Sequence, residues 1–285
     1  MADATAAPQP NPNTPNTLTY YHGGPLFTLA DLTTNISLSN LISALTSPVP
    51  KSQPSELLNH PSPALAPPFH FQPILPQSLE PRSLSPHAIR DSDLRALLSC
   101  DAALFVYDGA ELDAGTVVEY MVAKFADIPS VILRTDFRGG GDQGPLKGGE
   151  GEGDPGKKAD SWNLMSSFWP RTTTVTVDSM AVYKSALASA MESLSSMSSK
   201  VTAGEESSIS EVNALCAEAM RRHVAEKVVR AMEEVVRMPP RMPKHLREGV
   251  WQWMSSMVGW MEGDLEAEKE EMRVILGKKV EKGML

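Results

Sequence analysis

Carboxylates are the residues of this 285-residue chain whose type and spacing could do chemistry. Asp113 and Glu119 lie together in the stretch "DAGTVVE", around the start of a predicted helix, and Asp93 lies upstream at the start of another. Like charges crowded at one place cost free energy unless a proton or a function is shared among them. The grouping therefore indicates acid–base or nucleophilic chemistry by carboxyl groups.

The same residues also fit purely structural roles. Thr116 through Glu119 matches the S/T-x-x-E capping box, in which the hydroxyl and the carboxylate each satisfy a free backbone N–H. Asp91 and Asp93 are expected to precede a helix, where acidic side chains complement the positive end of the helix dipole. The residues alone leave the structural and the chemical interpretation open.

Projection at about 100° per residue predicts how the helix after Gly115 is oriented. Glu119 falls between the apolar and the polar face, beside Ala123 and Ala126, whose small side chains leave space above a carboxylate. The predicted buried stripe is Val118, Met121, Val122 and Phe125, and the predicted exposed face is Tyr120, Lys124 and Asp127.

The elements around this helix predict a parallel sheet. "DAALFVYDG" and "IPSVILRTD" are typical of buried strands, and "GTVVEYMVAKFAD" between them is typical of a helix. A strand, helix, strand unit with short joints is a parallel crossover. Ligands in such sheets bind at the carboxyl ends of the strands. The acidic residues expected at that rim are Asp108, Asp113, Glu119 and Asp136.

The flanking sequence supplies further elements of the same kind. Leu18 to Tyr21 predicts a strand followed by a Gly-Gly-Pro turn and a helix from near Thr28, and "FHFQPILPQ" predicts a second strand. The domain predictions are a disordered tail over 1–17, an α/β domain over 18–198 with a flexible insertion over 139–160, and a helical extension over 199–285.

Composition restricts the classes of partner. The net charge of −9 and a pI near 5.2 argue against a nucleic-acid partner. No apolar run is long enough to span a membrane and no secretory signal is evident, so a cytoplasmic location is expected. The two cysteines have no C-x-x-C spacing and the six histidines no ligand spacing, so neither a metal site nor a cofactor is predicted.

Several separated motifs together resemble the nucleoside 2-deoxyribosyltransferase family. "YYHGGPLF", "DSDL", "DGAELDAGTVVE" and "PSVILRTDFR" occur in the family's order, and "WNLMS" is similar to its later asparagine motif. The resemblance covers roughly residues 18 to 170. It implies a flavodoxin-like α/β fold with helices on both faces of the sheet, to which the helical extension is added.

The resemblance also implies roles for individual residues. Glu119 matches the nucleophile that attacks the anomeric carbon, Tyr21 the tyrosine that positions it, and Asp93 the aspartate that handles the proton of the base. The substrate-binding set that the resemblance implies is Asp113 for a sugar hydroxyl, Gln77 for the base, Gly23 in the first loop, and Asn163, which would reach the sugar from a neighbouring subunit.

The expected activity is transfer of a 2-deoxyribosyl group between nucleobases through a covalent glutamyl-sugar intermediate. A nucleobase leaves easily only when it is protonated, which requires an acid near its ring nitrogen and a carboxylate on the opposite face of the sugar. The alternatives are an N-glycosidase that hydrolyses nucleosides or nucleoside monophosphates, and an inactive nucleoside-binding scaffold. The partners expected are nucleosides, free nucleobases and further copies of the chain, which share active sites.

Overall fold

A computed structural model describes residues 16–48, 68–79, 85–109, 111–136, 165–198, 205–258 and 265–285. The predicted insertion over 139–160, Asn163 and the first fifteen residues of the predicted tail lie outside these ranges.

A five-stranded parallel sheet lies at the centre of the molecule, with the strand order β2-β1-β3-β4-β5. This arrangement confirms the predicted α/β class with a flavodoxin-like parallel sheet. Because β1 lies between β2 and β3, the direction of the strand order reverses beside β1, which is where parallel sheets open a crevice for ligands. The strands are β1 (Asn16–Gly23), β2 (Phe69–Ile74), β3 (Ala102–Val106), β4 (Ser130–Arg134) and β5 (Thr172–Thr176).

Helices cover both faces of the sheet. None of the helices in the described ranges is long and apolar enough to cross a membrane. The helices are α1 (Leu29–Thr46), α2 (Pro86–Ser99), α3 (Ala114–Phe125), α4 (Ser179–Ser198), α5 (Glu205–Arg237), α6 (Lys244–Ser255) and α7 (Leu265–Glu281).

The first strand starts earlier than the sequence predicts. Asn16 and Thr17 pair with Phe69 and His70 of β2, so the ladder includes two residues that were assigned to the disordered tail. Strand pairing satisfies backbone groups whatever the polarity of the side chains, which explains why a polar pair can extend a strand.

The C-terminal helices pack directly on the sheet. Val228 and Met232 of α5 are buried with Leu104 of β3 in one core, beneath α1 and α5. Trp251 of α6 and Met272 of α7 are buried in the other core, which also includes the buried faces of α2 and α3. Each sheet face is therefore covered by helices from both halves of the chain.

Helix α3 is rotated relative to the predicted orientation. Val118 and Phe125, predicted to be buried, are 59% and 62% exposed, whereas Tyr120, predicted to be exposed, is fully buried. The Tyr120 ring packs edge-on against Phe105 of β3 with 5.5 Å between ring centroids. Its hydroxyl donates a hydrogen bond of 2.7 Å to the carbonyl of Ser166. Because the hydroxyl of Tyr120 has a hydrogen-bond partner, burying its large apolar ring stabilises the fold by more than exposing Val118 and Phe125 costs.

Candidate functional site

Glu119 and Tyr21 form a direct hydrogen bond at the sheet crevice. The Tyr21 hydroxyl donates to Oε1 of Glu119 at 2.8 Å. Tyr21 is fully buried on β1, and its ring lies 6.4 Å from that of Phe105 on the neighbouring strand. Because the tyrosine ring is held by the core, it fixes one oxygen of the carboxylate.

The proposed capping role of Glu119 is wrong, because Asp113 caps the helix. Oδ1 of Asp113 accepts from the backbone N–H of Gly115 at 3.2 Å, and Oδ2 accepts from that of Thr116 at 2.9 Å. Oδ2 also accepts from the hydroxyl of Thr116 at 2.6 Å. The helix therefore begins at Ala114, and Glu119 lies in its second turn, where no backbone N–H lacks a partner.

The backbone of Gly23 closely approaches the other oxygen of Glu119. A Cβ atom at Gly23 would lie 2.8 Å from Oε2 of Glu119 and 3.0 Å from Cδ1 of Phe105. Contacts this short force a neighbour to move. A glycine at the end of β1 is thus required by the position of the carboxylate.

Burial and nearby charge both act on Glu119. Burial raises the pKa of Glu119 to about 7, the hydrogen bond from Tyr21 opposes this rise, and the charges of Asp93 and Asp113 add to it. Burial, and then the charge of Glu119, likewise raises the pKa of the Tyr21 hydroxyl, so that it stays protonated and remains a donor. The site therefore holds a carboxylate that ionises near neutral pH.

Asp93 lies close enough to interact electrostatically with both residues. Its charge raises the pKa of Glu119 and that of Tyr21. The expectation that it precedes its helix is wrong, because α2 begins at Pro86, where Ser85 caps it. Asp91 is also inside α2, where its Oδ1 accepts from Nε of Arg90 at 2.8 Å. Dipole complementarity in the first turn does not explain either aspartate.

Gln77 supplies a buried amide beyond the end of β2. It lies in a 3-10 turn over Pro76–Ser78, at the carboxyl end of a strand adjacent to β1. Both its amide oxygen and its amide nitrogen are buried, with no hydrogen-bond partner among the described residues. An amide in this state offers one acceptor and two donors to a ligand.

Asp108 and Asp136, the other two carboxylates predicted at this edge of the sheet, interact with residues at the end of β4. Oδ1 and Oδ2 of Asp108 accept from the backbone N–H and the hydroxyl of Thr135 at 2.6 and 2.7 Å, so Asp108 ties the end of β3 to that of β4. Asp136 lies 3.7 Å from Arg134 in an ion pair. Both residues stabilise the rim.

Tyr107 is a neighbour of the site that the sequence predictions missed. It follows β3, and its ring lies 6.1 Å from that of Tyr120 in an edge-to-face arrangement. Burial raises the pKa of the Tyr107 hydroxyl, and the charge of Glu119 makes a smaller contribution in the same direction. The only signal in the sequence was an aromatic residue at the end of a buried strand.

Metal-binding geometry is not found in the described ranges, where no three His, Cys, Asp or Glu side chains are grouped so that they could hold an ion.

Comparison with known proteins gives little further information. No family model and no curated protein matches this chain. A solved structure, described as a conserved protein from Enterococcus faecalis V583, is 28% identical, covers 45% of this chain and 70% of its own, and has a TM-score of 0.33. That description states no activity.

Proposed function

We propose that this protein transfers 2-deoxyribosyl groups between nucleobases, with Glu119 as the nucleophile. The observation that carries the proposal is the 2.8 Å hydrogen bond from Tyr21 to Oε1 of Glu119. It holds a carboxylate in a defined orientation at the crevice, away from any role in capping its helix. The motif resemblance and the burial of Gln77 support the same conclusion.

The first half of the reaction forms a glycosyl ester. Oε2 of Glu119, the oxygen that Tyr21 does not bind, attacks the anomeric carbon from the side opposite the base. The bond between the anomeric carbon and the base nitrogen breaks, and its electron pair stays on that nitrogen. Asp93 supplies the proton that the leaving base needs.

The second half reverses these steps with a new base. A ring nitrogen of the acceptor attacks the anomeric carbon, the ester bond to Glu119 breaks, and Asp93 takes up the proton of the acceptor. Water in place of the acceptor base would give hydrolysis through the same intermediate. Gln77 offers a donor and an acceptor to the edge of either base.

The helix N-termini beside the crevice favour nucleosides over nucleotides as substrates. The N-terminus of α1 is closed by Thr28 and Asp31, which form a reciprocal capping box with hydrogen bonds of 2.9 and 3.1 Å. At the N-terminus of α3, the carboxylate of Asp113 accepts the backbone N–H groups of Gly115 and Thr116. A phosphate binds readily at an open helix N-terminus, and here a carboxylate of the chain already takes each position.

Base exchange tests the proposal. The full chain is incubated with a 2′-deoxynucleoside and a different free base, and the products are separated by chromatography. The exchanged nucleoside should form with the wild type and with Glu111→Gln, whose exposed side chain lies in the same connection between β3 and α3. It should not form with Glu119→Gln.

Two further measurements separate the alternatives. Free base released without an acceptor base, and no exchange when one is present, would assign hydrolysis. A mass increase of one deoxyribosyl group on the wild type, mapped to the peptide with Glu119, is expected for the covalent intermediate. Deoxynucleoside binding by calorimetry with neither product would overturn the enzymatic proposal in favour of a binding protein.

A further inference from the structure

A second pocket lies at the far end of α3, beyond the Glu119 crevice. It has a volume of about 310 Å³ and lies between the end of α3, the segment before β5 and the start of α6. This volume is at the lower end of the range for small-molecule sites. Most of its wall is apolar, formed by Phe125, Trp169, Met242 and Val250.

Lys124 brings a largely buried amine to this pocket. Its Nζ donates to the hydroxyl of Thr172 at 2.9 Å and makes two longer contacts, to the carbonyls of Arg171 at 3.3 Å and Pro170 at 3.5 Å. In the described part of the chain Lys124 forms no ion pair. Burial, followed by the positive charge of Arg171, lowers the pKa of Lys124 to about 7. A cation in these surroundings is stabilised by any anion that reaches the pocket.

The carboxylate that lines the pocket is already used by other groups. Oδ2 of Asp127 accepts from the backbone N–H groups of Arg241 and Met242 at 2.6 and 2.7 Å. Its Oδ1 lies 3.4 Å from Nη1 of Arg171. The charge of Asp127 partly opposes the fall in the pKa of Lys124, but its carboxylate oxygens are occupied by these other groups. Arg241, whose exposed side chain also lines the pocket, adds a second positive charge.

We propose that this pocket binds a small carboxylate with an apolar body, such as an aryl carboxylic acid. The apolar wall takes the body of the ligand. Its carboxylate binds the guanidinium of Arg241 and the ammonium of Lys124, where it replaces the long 3.5 Å contact to the carbonyl of Pro170. Charge-assisted hydrogen bonds at a pocket of low polarity give most of the affinity. A strongly hydrated anion such as phosphate is a poorer ligand, because the apolar wall forms no hydrogen bonds to replace those that the anion makes with water.

Calorimetric titration of the full chain with benzoate tests the site. Benzoate should bind the wild type, and Lys124→Met should weaken its binding about tenfold or more, which is the loss expected for one charge-assisted contact. Lys184→Met, at an exposed lysine of α4, should bind as the wild type does. Benzyl alcohol, the neutral analogue, should bind more weakly than benzoate to the wild type and equally to Lys124→Met.

Further variants keep the result decisive if Lys124→Met does not fold. Arg241→Gln changes only an exposed side chain and should weaken benzoate binding about threefold. Glu119→Gln should leave it unchanged, because the crevice is a different site. Benzoate binding that is equal in the wild type, Lys124→Met and Arg241→Gln, or absent from the wild type at tens of millimolar, would overturn the proposal.

Discussion

The protonation of Glu119 is the residue-scale property with the most direct consequences. Burial raises its pKa to about 7, and the hydrogen bond from Tyr21 works against that rise. A nucleophilic carboxylate must be ionised to attack. Near neutral pH, small changes around this one side chain should therefore change both activity and stability.

Activity should depend on pH through Glu119 and Tyr21. For the wild type, kcat/KM for base exchange should rise with pH with a midpoint near pH 7, and should fall again at higher pH because Asp93 must carry a proton for the leaving base. Tyr21→Phe removes the hydrogen bond that lowers the pKa of Glu119, so the midpoint should move up by about one pH unit. Tyr183→Phe, at a half-exposed tyrosine of α4, is the control. An unchanged midpoint in Tyr21→Phe would mean that another group limits the reaction.

As pH rises through the pKa of Glu119, the free energy of unfolding should fall, whereas the activity should rise. The pKa of Glu119 is 4.5 in the unfolded chain and about 7 in the folded one, so the folded state binds more protons between these values. The free energy of unfolding therefore falls as pH rises through this window. Glu119→Gln lacks this loss and should be more stable than the wild type at pH 8 by on the order of 1–3 kcal/mol. Thermal unfolding at pH 4 and pH 8 measures the difference, and a less stable variant at pH 8 would contradict it.

Gly23 should tolerate no side chain. Gly23→Ala places a Cβ 2.8 Å from Oε2 of Glu119 and 3.2 Å from Cε1 of Tyr21, so the carboxylate must move from its hydrogen-bonded position. We expect a loss of kcat/KM of about a hundredfold, since misplacement by about 1 Å has effects of that size. Gly277→Ala is the matched control, because a Cβ there meets no atom within 4 Å and improves a helix. Equal activity in the two variants would show that the close approach is irrelevant to catalysis.

At the scale of elements, Asp127 connects α3 to the segment that precedes α6. It follows α3 with a positive φ of 57°, a conformation that aspartate and asparagine adopt more readily than most residues. Its carboxylate accepts the backbone N–H groups of Arg241 and Met242 and faces Arg171. One side chain thereby positions both the C-terminal helices and the strand β5.

Asp127→Ala should lower the free energy of unfolding by about 3 kcal/mol or more, since it leaves the buried Arg171 without its counter-ion and two N–H groups without acceptors. Asp127→Asn keeps an acceptor oxygen and the backbone preference, so its loss should be smaller. Asp178→Ala, which removes a single exposed contact of 2.9 Å at the start of α4, should cost only about 1 kcal/mol. Urea unfolding compares the three, and equal losses would show that Asp127 is an ordinary helix-end residue.

The elements were more predictable than their orientations. Buried runs and short joints correctly predicted the order of strands and helices, because hydrophobic periodicity records which segments are buried. The face of α3 was predicted wrongly, since nothing in its own sequence shows that Phe105 and Ser166 would bury Tyr120. The capping role was assigned to Glu119 instead of Asp113 because both lie near the helix start, and only the first helical residue decides between them.

At the scale of the whole molecule, the two cores join the first and last thirds of the chain. Helices α5, α6 and α7 supply buried residues to both faces of a sheet whose strands all precede them. The periodicity of α5 was evident in the sequence, but which surface it covers depends on contacts with residues more than a hundred positions away. That is why the sequence predicted a helical extension without showing which surface of the sheet it covers.

A chain that ends after Ser198 should therefore not fold as a soluble α/β domain. Without α5 to α7, both sheet faces expose apolar side chains, and we expect aggregation or dye binding typical of exposed apolar surface. A chain that starts at Asn16 keeps every described element and should unfold at the temperature of the full chain. Both are checked by size-exclusion chromatography and thermal unfolding. A soluble, cooperatively unfolding product ending at Ser198 would contradict this prediction.

The strands of the sheet are synthesised before the last helices that cover them, and this order matters during synthesis on the ribosome. All five strands have been translated once Thr176 is made, but the helix that covers Val131 and Val175 ends only at Arg237. During that interval the part of this sheet face that α5 covers is exposed, and exposed apolar strands are prone to aggregation. A chaperone that recognises apolar surface would have its window of action in this interval, and slow translation between β5 and the end of α5 would lengthen it.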